Sequence, residues 1–108
     1  MGSTVVGSGA GRAYSTWMQT IDNAARAFST GNVVPESGDS KTHALRVIVT
    51  CDTGQLRFRY DGAVPTAAIG HLLEIGDVLV IEGALNIQSF QAIRTGGTSG
   101  TLVVTGER

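Results

Sequence analysis

Two stretches of the chain alternate between apolar and polar residues with the two-residue period of a β-strand. In residues 44–51 one face of the predicted strand carries Leu45, Val47, Val49 and Cys51. In residues 55–60 the apolar face carries Leu56, Phe58 and Tyr60. The turn formers Asp52-Thr53-Gly54 lie between the two stretches. The pattern therefore predicts an antiparallel hairpin whose apolar faces, Tyr60 included, point into a core.

Further short apolar runs follow and are separated by turn-forming pairs. The runs are residues 78–81, 87–94 and 102–104, and the turns are Asp61-Gly62, Gly76-Asp77 and Gly96-Gly97. Turns that recur about every 8–12 residues are typical of a sandwich or barrel. The sequence thus predicts an all-β fold, a single small antiparallel β-sandwich of jelly-roll or immunoglobulin-like type over residues 14–108.

Residues 14–28 fit two interpretations. Their apolar residues fall at helical spacing, which favours a helix. The segment is also rich in threonine, and Asp22-Asn23 could turn the chain between two short strands. Periodicity alone leaves both a helix and a strand pair open.

The first 13 residues are rich in Gly and Ser, and they predict a flexible arm in front of the domain. Gly7, Gly9 and Gly11 in this arm lack the spacing and the strand–helix surroundings of a dinucleotide-binding turn. Residues 34–43 contain Pro35, Gly38 and other turn formers, so they predict a surface loop.

Composition narrows the function classes. The chain has 108 residues, a mass of 11.2 kDa and a formal net charge of −1. This charge does not favour non-specific electrostatic binding to nucleic acid or to an anionic membrane, so neither is an expected partner. No stretch has the roughly 20 apolar residues of a membrane-spanning helix, and no secretory signal is recognised. The single Cys51 is expected to be a small core residue.

Residues that could carry catalysis are few. His43 and His71 lack metal-ligand spacing, and no Ser-His-Asp or Cys-His set is suggested. Three aspartates, Asp52, Asp61 and Asp77, each lie in a glycine-containing turn, where aspartate commonly bonds the neighbouring backbone. A calcium site from two of them stays open as a minor alternative. We expect no enzyme activity, no cofactor and no metal.

Arginine dominates the basic residues. Arg57 and Arg59 share one face of the predicted hairpin, and Arg46 lies on the preceding strand. Because arginine is enriched at interfaces, these three residues form a candidate interface. A merely solvated sheet face is the equal alternative.

One pattern is more specific. Residues 57–66 read RFRYDGAVPT, followed by GHLL at 70–73, GD at 76–77, FQAIR at 90–94 and GTLVVT at 100–105. The pattern resembles a family of small tailed-bacteriophage virion structural proteins, and the resemblance covers about residues 44–108. Members of that family usually carry a strand pair in the region matching residues 16–34, which favours strands over a helix there.

The resemblance implies structural roles for particular residues. It implies that Arg57, Arg59, Asp61, Gly62, Pro65 and Thr66 set the turn, and that Phe90 and Ile93 belong to the core. It also implies a non-enzymatic virion protein, with capsid decoration or cement as the leading function. The implied partner is the phage major capsid protein or the connector, and the implied location is the virion, or the host cytoplasm during assembly.

A second function class stays open. The DGAVPT segment is also similar to a motif of immunoglobulin-like modules attached to carbohydrate-active enzymes. The alternative is therefore a carbohydrate-binding module, or a tail or connector component, that acts in host recognition. Its candidate aromatic platforms are Tyr14, Trp17 and Tyr60.

The strands carry apolar residues on both faces. Ile48 lies opposite the face of Val47 and Val49, and Val103 lies opposite Leu102 and Val104. A small sandwich buries one face of each sheet, so the second apolar set favours a partner. We expect self-association, with a trimer as the leading form because the resembling phages often place decoration proteins on threefold axes.

Overall fold

The computed structural model describes residues 13–28 and 44–107. In chain order the elements are β1 (Ala13–Ile21), β2 (Arg26–Ala27), β3 (Arg46–Thr53), β4 (Leu56–Arg59), β5 (His71–Leu73), β6 (Val78–Glu82), α1 (Ala84–Ser89), β7 (Gln91–Arg94) and β8 (Gly100–Glu107). The arm predicted over residues 1–13 lies outside the described residues except for Ala13, which pairs with Glu107. The loop predicted over residues 34–43 also lies outside them.

The strands form two antiparallel sheets that pack face to face, which confirms the predicted all-β sandwich. The first sheet has the order β1-β8-β3-β6 and the second has the order β2-β7-β4-β5. Successive strands change sheets, except for β4 and β5, which are neighbours in the second sheet. This order of eight strands in two four-stranded sheets is that of a jelly roll, and of the two predicted types it selects the first.

The core lies between the sheets and contains the inward side chains of the alternating strands. Val47, Val49 and Cys51 face it from β3, and Leu56 and Phe58 face it from β4. Phe90 is its largest fully buried residue. The rings of Phe28 and Phe90 stack with centroids 4.2 Å apart, and Phe58 lies 5.7 Å from Phe90. Burial of each such ring stabilises the fold by about 1.5–3 kcal/mol.

The predicted hairpin of residues 44–60 is wrong, because β3 and β4 belong to different sheets. Gly54, with φ of 75°, turns the chain at this point. A Cβ placed on Gly54 would lie 2.7 Å from the Cα of Gly100, so two glycine backbones meet where the chain crosses over. Both strands keep an apolar inner face because they cover the same core from opposite sides.

The structure also gives the conformation of residues 13–28 and of residues 84–94. Residues 13–21 form a strand, so the helix alternative for residues 14–28 is wrong and the strand interpretation is confirmed. This strand pairs with β8, and β2 pairs with β7 in the other sheet. The strand predicted over residues 87–94 is wrong in its first part, because Ala84–Ser89 is helical. Ile87 is buried from α1, and Ala92, rather than Ile93, faces the core from β7.

Candidate functional site

The loop of residues 61–70, between β4 and β5, is held by the two arginines of β4. Arg57 donates hydrogen bonds from Nε to the carbonyl of Ala67 at 3.0 Å and from Nη1 to the carbonyl of Gly70 at 2.9 Å. Arg59 Nη2 lies 2.6 Å from Asp61 Oδ2. A guanidinium has several donors in a fixed plane, so one arginine can hold two carbonyls. The alternating arginines thus fix the loop to the strand that precedes it.

Asp61 also bonds the backbone of its own turn. Its Oδ1 accepts a hydrogen bond from the amide of Ala63 at 3.2 Å, and Gly62 has a φ of 86°. The hydrogen bond from Arg59 and the Ala63 amide lower the pKa of Asp61 from 3.8 to about 2. The carboxylate is therefore ionised at neutral pH and acts as a turn acceptor.

The second half of the loop is closed in a similar way. Thr66 Oγ1 accepts hydrogen bonds from the amides of Ala68 and Ile69, at 3.2 and 2.9 Å, and Pro65 is fully buried. A Cβ on Gly70 would lie 3.0 Å from the carbonyl oxygen of Phe58, so the chain returns close to β4. The loop exposes Val64 and Ile69 on its outside. The loop therefore presents exposed apolar side chains on an ordered backbone at one end of the second sheet.

The three candidate interface arginines do not share a surface. Arg46 lies in the first sheet and is 4% exposed, so its assignment to an interface with Arg57 and Arg59 is wrong. It forms an ion pair with Glu107 on the neighbouring strand, which is 1% exposed. Arg57 and Arg59 lie on the same side of β4, and their contacts within the chain are with the 61–70 loop. An interface role for these two stays a prediction.

The outer face of the first sheet has an unusual composition. We call outer face ten residues whose side chains point away from the core on β1, β8, β3 and β6, namely Thr16, Met18, Thr20, Thr101, Val103, Thr105, Ile48, Thr50, Val78 and Val80. None of these side chains is charged. They are aligned in cross-strand rows such as Met18, Val103 and Thr50, and Thr16 bonds Thr105 at 2.8 Å. These ten residues form an uncharged and weakly apolar surface, and the ion-paired row of Glu107, Arg46 and Glu82 borders it at one end of the same side.

A groove of about 540 Å³ opens along one side of the sandwich, between the edge strands β5 and β6. Its walls include exposed apolar residues, Tyr60, Leu72 and Val80, and the polar residues Asp77, Glu82 and Asn86 at its rim. The prediction that Tyr60 packs inward is wrong, because this residue is 47% exposed. Tyr60 follows the end of β4, where the alternation of the strand no longer applies.

The other candidate aromatic residues lie elsewhere. Tyr14 and Trp17 are partly buried and pack against the core from the inner face of β1. The Tyr14 ring lies directly over Gly106, where a Cβ would be 2.6 Å from Oη. Of the three aromatic residues proposed as sugar platforms, Tyr60 is the one on a groove.

The candidate metal and acid–base residues have local partners. Asp77 accepts a hydrogen bond from the amide of Glu74 at 2.8 Å, and the His71 ring lies 5.4 Å from that of Phe58. Within residues 13–28 and 44–107, no three His, Cys, Asp or Glu side chains are grouped so as to hold a metal ion. His43 lies outside these ranges.

Comparison with known proteins adds no relative. No protein-family model, no curated protein and no solved structure matches the chain. Among the helices that the structure describes, none is long and apolar enough to cross a membrane. The site is therefore interpreted from its own geometry.

Sequence reasoning missed the groove, whereas the resemblance implied that Arg57 and Arg59 set the turn, and both arginines contact the 61–70 loop. The spacing of Arg57, Arg59 and Asp61 was a usable signal for the Arg59–Asp61 pair, because residues two apart on a strand lie on the same side. The groove has no local signal. It depends on which strands become sheet edges, and that is set by the pairing of distant segments.

Proposed function

We propose that the chain is a non-enzymatic structural protein of a tailed-phage virion that decorates or cements the capsid, binding the capsid protein and further copies of itself. The observation that supports this most is the outer face. A sheet face in contact with water normally carries charged and polar side chains. Here the exposed Met18 and Val80 stand among threonines and valines, and an uncharged face of this kind suits contact with another protein.

The fixed loop of residues 61–70 supports the same proposal. Hydrogen bonds donated by Arg57 and accepted by Thr66 order it before any partner arrives, so little conformational entropy is lost when its exposed Val64 and Ile69 are covered. Jelly rolls serve as viral capsid domains and as lectins. By analogy of fold, the architecture is compatible with both function classes.

The test uses capsid shells that lack this chain. Purified protein is added to the shells, and binding is measured by co-sedimentation and shell stability by calorimetry. We expect binding and a higher melting temperature of the shells. Met18→Lys, which places a charge on the outer face, should weaken both effects. Leu85→Lys, at an exposed position of α1 away from that face, is the matched control and should retain them.

The shell experiment can also contradict the capsid-cement function. If the unaltered protein neither binds the shells nor raises their melting temperature, capsid cement is wrong. A reconstruction of the virion then distinguishes the related assignment to tail or connector, since density for the chain would lie at the portal or tail.

A carbohydrate-binding module is the second candidate, and the exposed Tyr60 favours it. A tyrosine ring beside Glu82 and Asn86 in one groove offers the apolar surface and hydrogen-bonding groups that a sugar requires. A glycan array probed with the unaltered protein and with Tyr60→Ala tests this directly. Binding that disappears in Tyr60→Ala would favour the module, and an array without binding would count against it.

A further inference from the structure

The strand β6 has one edge paired and one edge open. Its partner β3 lies on one side, and among the described residues no strand pairs with it on the other side. The amide of Cys51 bonds the carbonyl of Asp77, and the amide of Gly83 bonds that of Leu45. Because hydrogen bonding alternates along an antiparallel pair, Leu79 and Ile81 also point their backbone groups at β3. The N–H and C=O groups of Val78, Val80 and Glu82 therefore point outward from the open edge.

Edge strands of soluble proteins are usually protected by lysine, proline, a bulge or a covering segment. The sequence of β6, Val-Leu-Val-Ile-Glu, has neither lysine nor proline, its one charged residue, Glu82, is at its end, and its register with β3 contains no shift. The β1 edge of the same sheet has a register shift between Ala13 and Ser15. Of the two edges of the first sheet, β6 is the regular and apolar one.

The open edge also borders the groove. Tyr60, Leu72 and Val80 line it with apolar surface that is nearly half exposed in each case. A row of outward N–H and C=O groups is satisfied best by another extended backbone, so the ligand that fits this edge is a β-strand. One carbonyl of the row, that of Glu82, already accepts a hydrogen bond from Asn86 Nδ2 at 3.1 Å, and a carbonyl can accept a second one.

We propose that β6 pairs antiparallel with β6 of a second copy of this chain, about a twofold axis that passes beside Val80. The proposal rests on the self-association included in the proposed function and specifies its surface. The open groups of Val78, Val80 and Glu82 are symmetric about Val80, which is what a twofold contact requires. Val80 then exchanges hydrogen bonds with the partner's Val80, and Val78 with the partner's Glu82.

The charges near the edge agree with this register. Each Glu82 faces a valine rather than a second carboxylate, and it stays 3.7 Å from Arg46 of its own copy. Like charges directly opposite each other would destabilise the pair. The two first sheets join into one continuous sheet, and their outer faces lie on the same side of it, with Glu82 of each copy beside the contact.

The test combines oligomeric state with amide exchange. Sedimentation of the full chain at micromolar concentration should give twice the 11.2 kDa chain mass. The amides of Val78, Val80 and Glu82 should exchange quickly in dilute protein and become protected as concentration rises. The amides of Leu79 and Ile81 are the internal control, because their bonds to β3 protect them at every concentration.

Two variants at Val80 act on the edge. Val80→Pro removes an N–H that points outward, so the β3 ladder is kept, and Val80→Lys places a charge at the centre of the contact. Both should sediment as monomers with an unchanged circular dichroism spectrum. Met18→Lys, on the opposite edge of the same sheet, should remain a dimer.

The outcomes separate this inference from the proposed function. A trimer, or a dimer that both Val80 variants leave intact, overturns the β6 pairing but keeps self-association. A monomer at all concentrations overturns both the pairing and self-association, and the binding of capsid shells is decided by its own experiment. Concentration-dependent protection confined to Val78, Val80 and Glu82 supports the pairing.

Discussion

Arg46 Nη2 lies 2.6 Å from Glu107 Oε1, on neighbouring strands of the first sheet, and both side chains are almost completely buried. A second bond joins Arg46 Nε to the same oxygen at 2.8 Å. Arg46→Met leaves the Glu107 carboxylate buried without its partner, whereas in Glu107→Gln the arginine keeps Glu82 at 3.7 Å. We expect Arg46→Met to lower the free energy of unfolding by about 3–5 kcal/mol, and Glu107→Gln to lower it by less.

Denaturant unfolding measures this loss, and a double-mutant cycle isolates the pair. Arg26→Met is the matched control, since it removes an arginine from an exposed pair with Asp22 at 3.0 Å and should change stability little. If Arg46→Met costs no more than Arg26→Met, the buried pair does not stabilise the fold.

The close approach of Gly54 and Gly100 gives a second prediction. A Cβ on Gly100 would lie 2.6 Å from the Thr53 carbonyl oxygen and 2.8 Å from a methyl group of Leu56. We expect Gly100→Ala to lower the free energy of unfolding by about 1–3 kcal/mol, the usual cost of forcing an extra group into a packed site. Gly96→Ala meets no atom within 4 Å and serves as the control. Equal stability of the two variants would contradict the crowding.

The buried thiol of Cys51 should make the stability of the fold depend on pH in the alkaline range. Burial, with help from Asp77 and Asp52, raises the pKa of its thiol from 9.0 to about 11. The unfolded chain therefore loses this proton first, so the stabilisation is complete below about pH 9 and is lost as pH rises towards 11. Melting temperatures measured from pH 8 to 11 should fall, and the fall should be smaller in Cys51→Ala. Parallel curves for the two proteins would show that another group is responsible.

The ionised carboxylate of Asp61 should make the stability of the fold depend on pH in the acid range. Its pKa is about 2 in the fold and 3.8 ordinarily, so its contribution is present above about pH 4 and disappears as pH falls through 2. Asp61→Ala should melt at a lower temperature than the unaltered protein at pH 7, and the difference should close near pH 2. A difference that persists at pH 2 would mean that the charge of Asp61 is not what stabilises the turn.

The hydrogen bonds of Arg57 are expected to keep the 61–70 loop ordered. Arg57→Lys keeps the charge but loses the fork that bonds Ala67 and Gly70 together, so proteolytic cleavage within residues 61–70 should become faster. Arg26→Lys, on an exposed strand away from the loop, should leave the cleavage rate unchanged. Equal cleavage rates in both variants would show that the loop is ordered without Arg57.

The alternation of residues 44–60 was enough to predict the strands and their inner faces within residues 46–59, because side-chain period is a local property, but Leu45 and Tyr60 at the two ends are exposed. It could not predict that β3 and β4 lie in opposite sheets, since a tight turn is compatible with a hairpin and with a crossover. Arg46 occupies an outward position of its strand, and alternation alone predicts it to be exposed. In the fold it is buried and bonds Glu107, which is 61 residues away in the chain, so no local pattern indicates it.

The candidate site was predicted in part. Asp61, Gly62, Pro65 and Thr66 were assigned to a turn from residue type and the resemblance, and the structure places all of them in the 61–70 loop. The helix α1 had a usable signal, because Ile87 and Phe90, the residue that follows the helix, are apolar and three residues apart. The open edge of β6 had none, since an edge is defined by the absence of a neighbour.

The position of β8 affects how the chain folds during synthesis. It lies between β1 and β3 in the first sheet, although it follows both in the chain. While the ribosome is translating residues 22–99, β1 has no strand to pair with. β3 and β6 pair with each other and can form earlier, but β1 joins the first sheet only after residues 100–107 have been made, and until then its inner face lacks its place in the sheet.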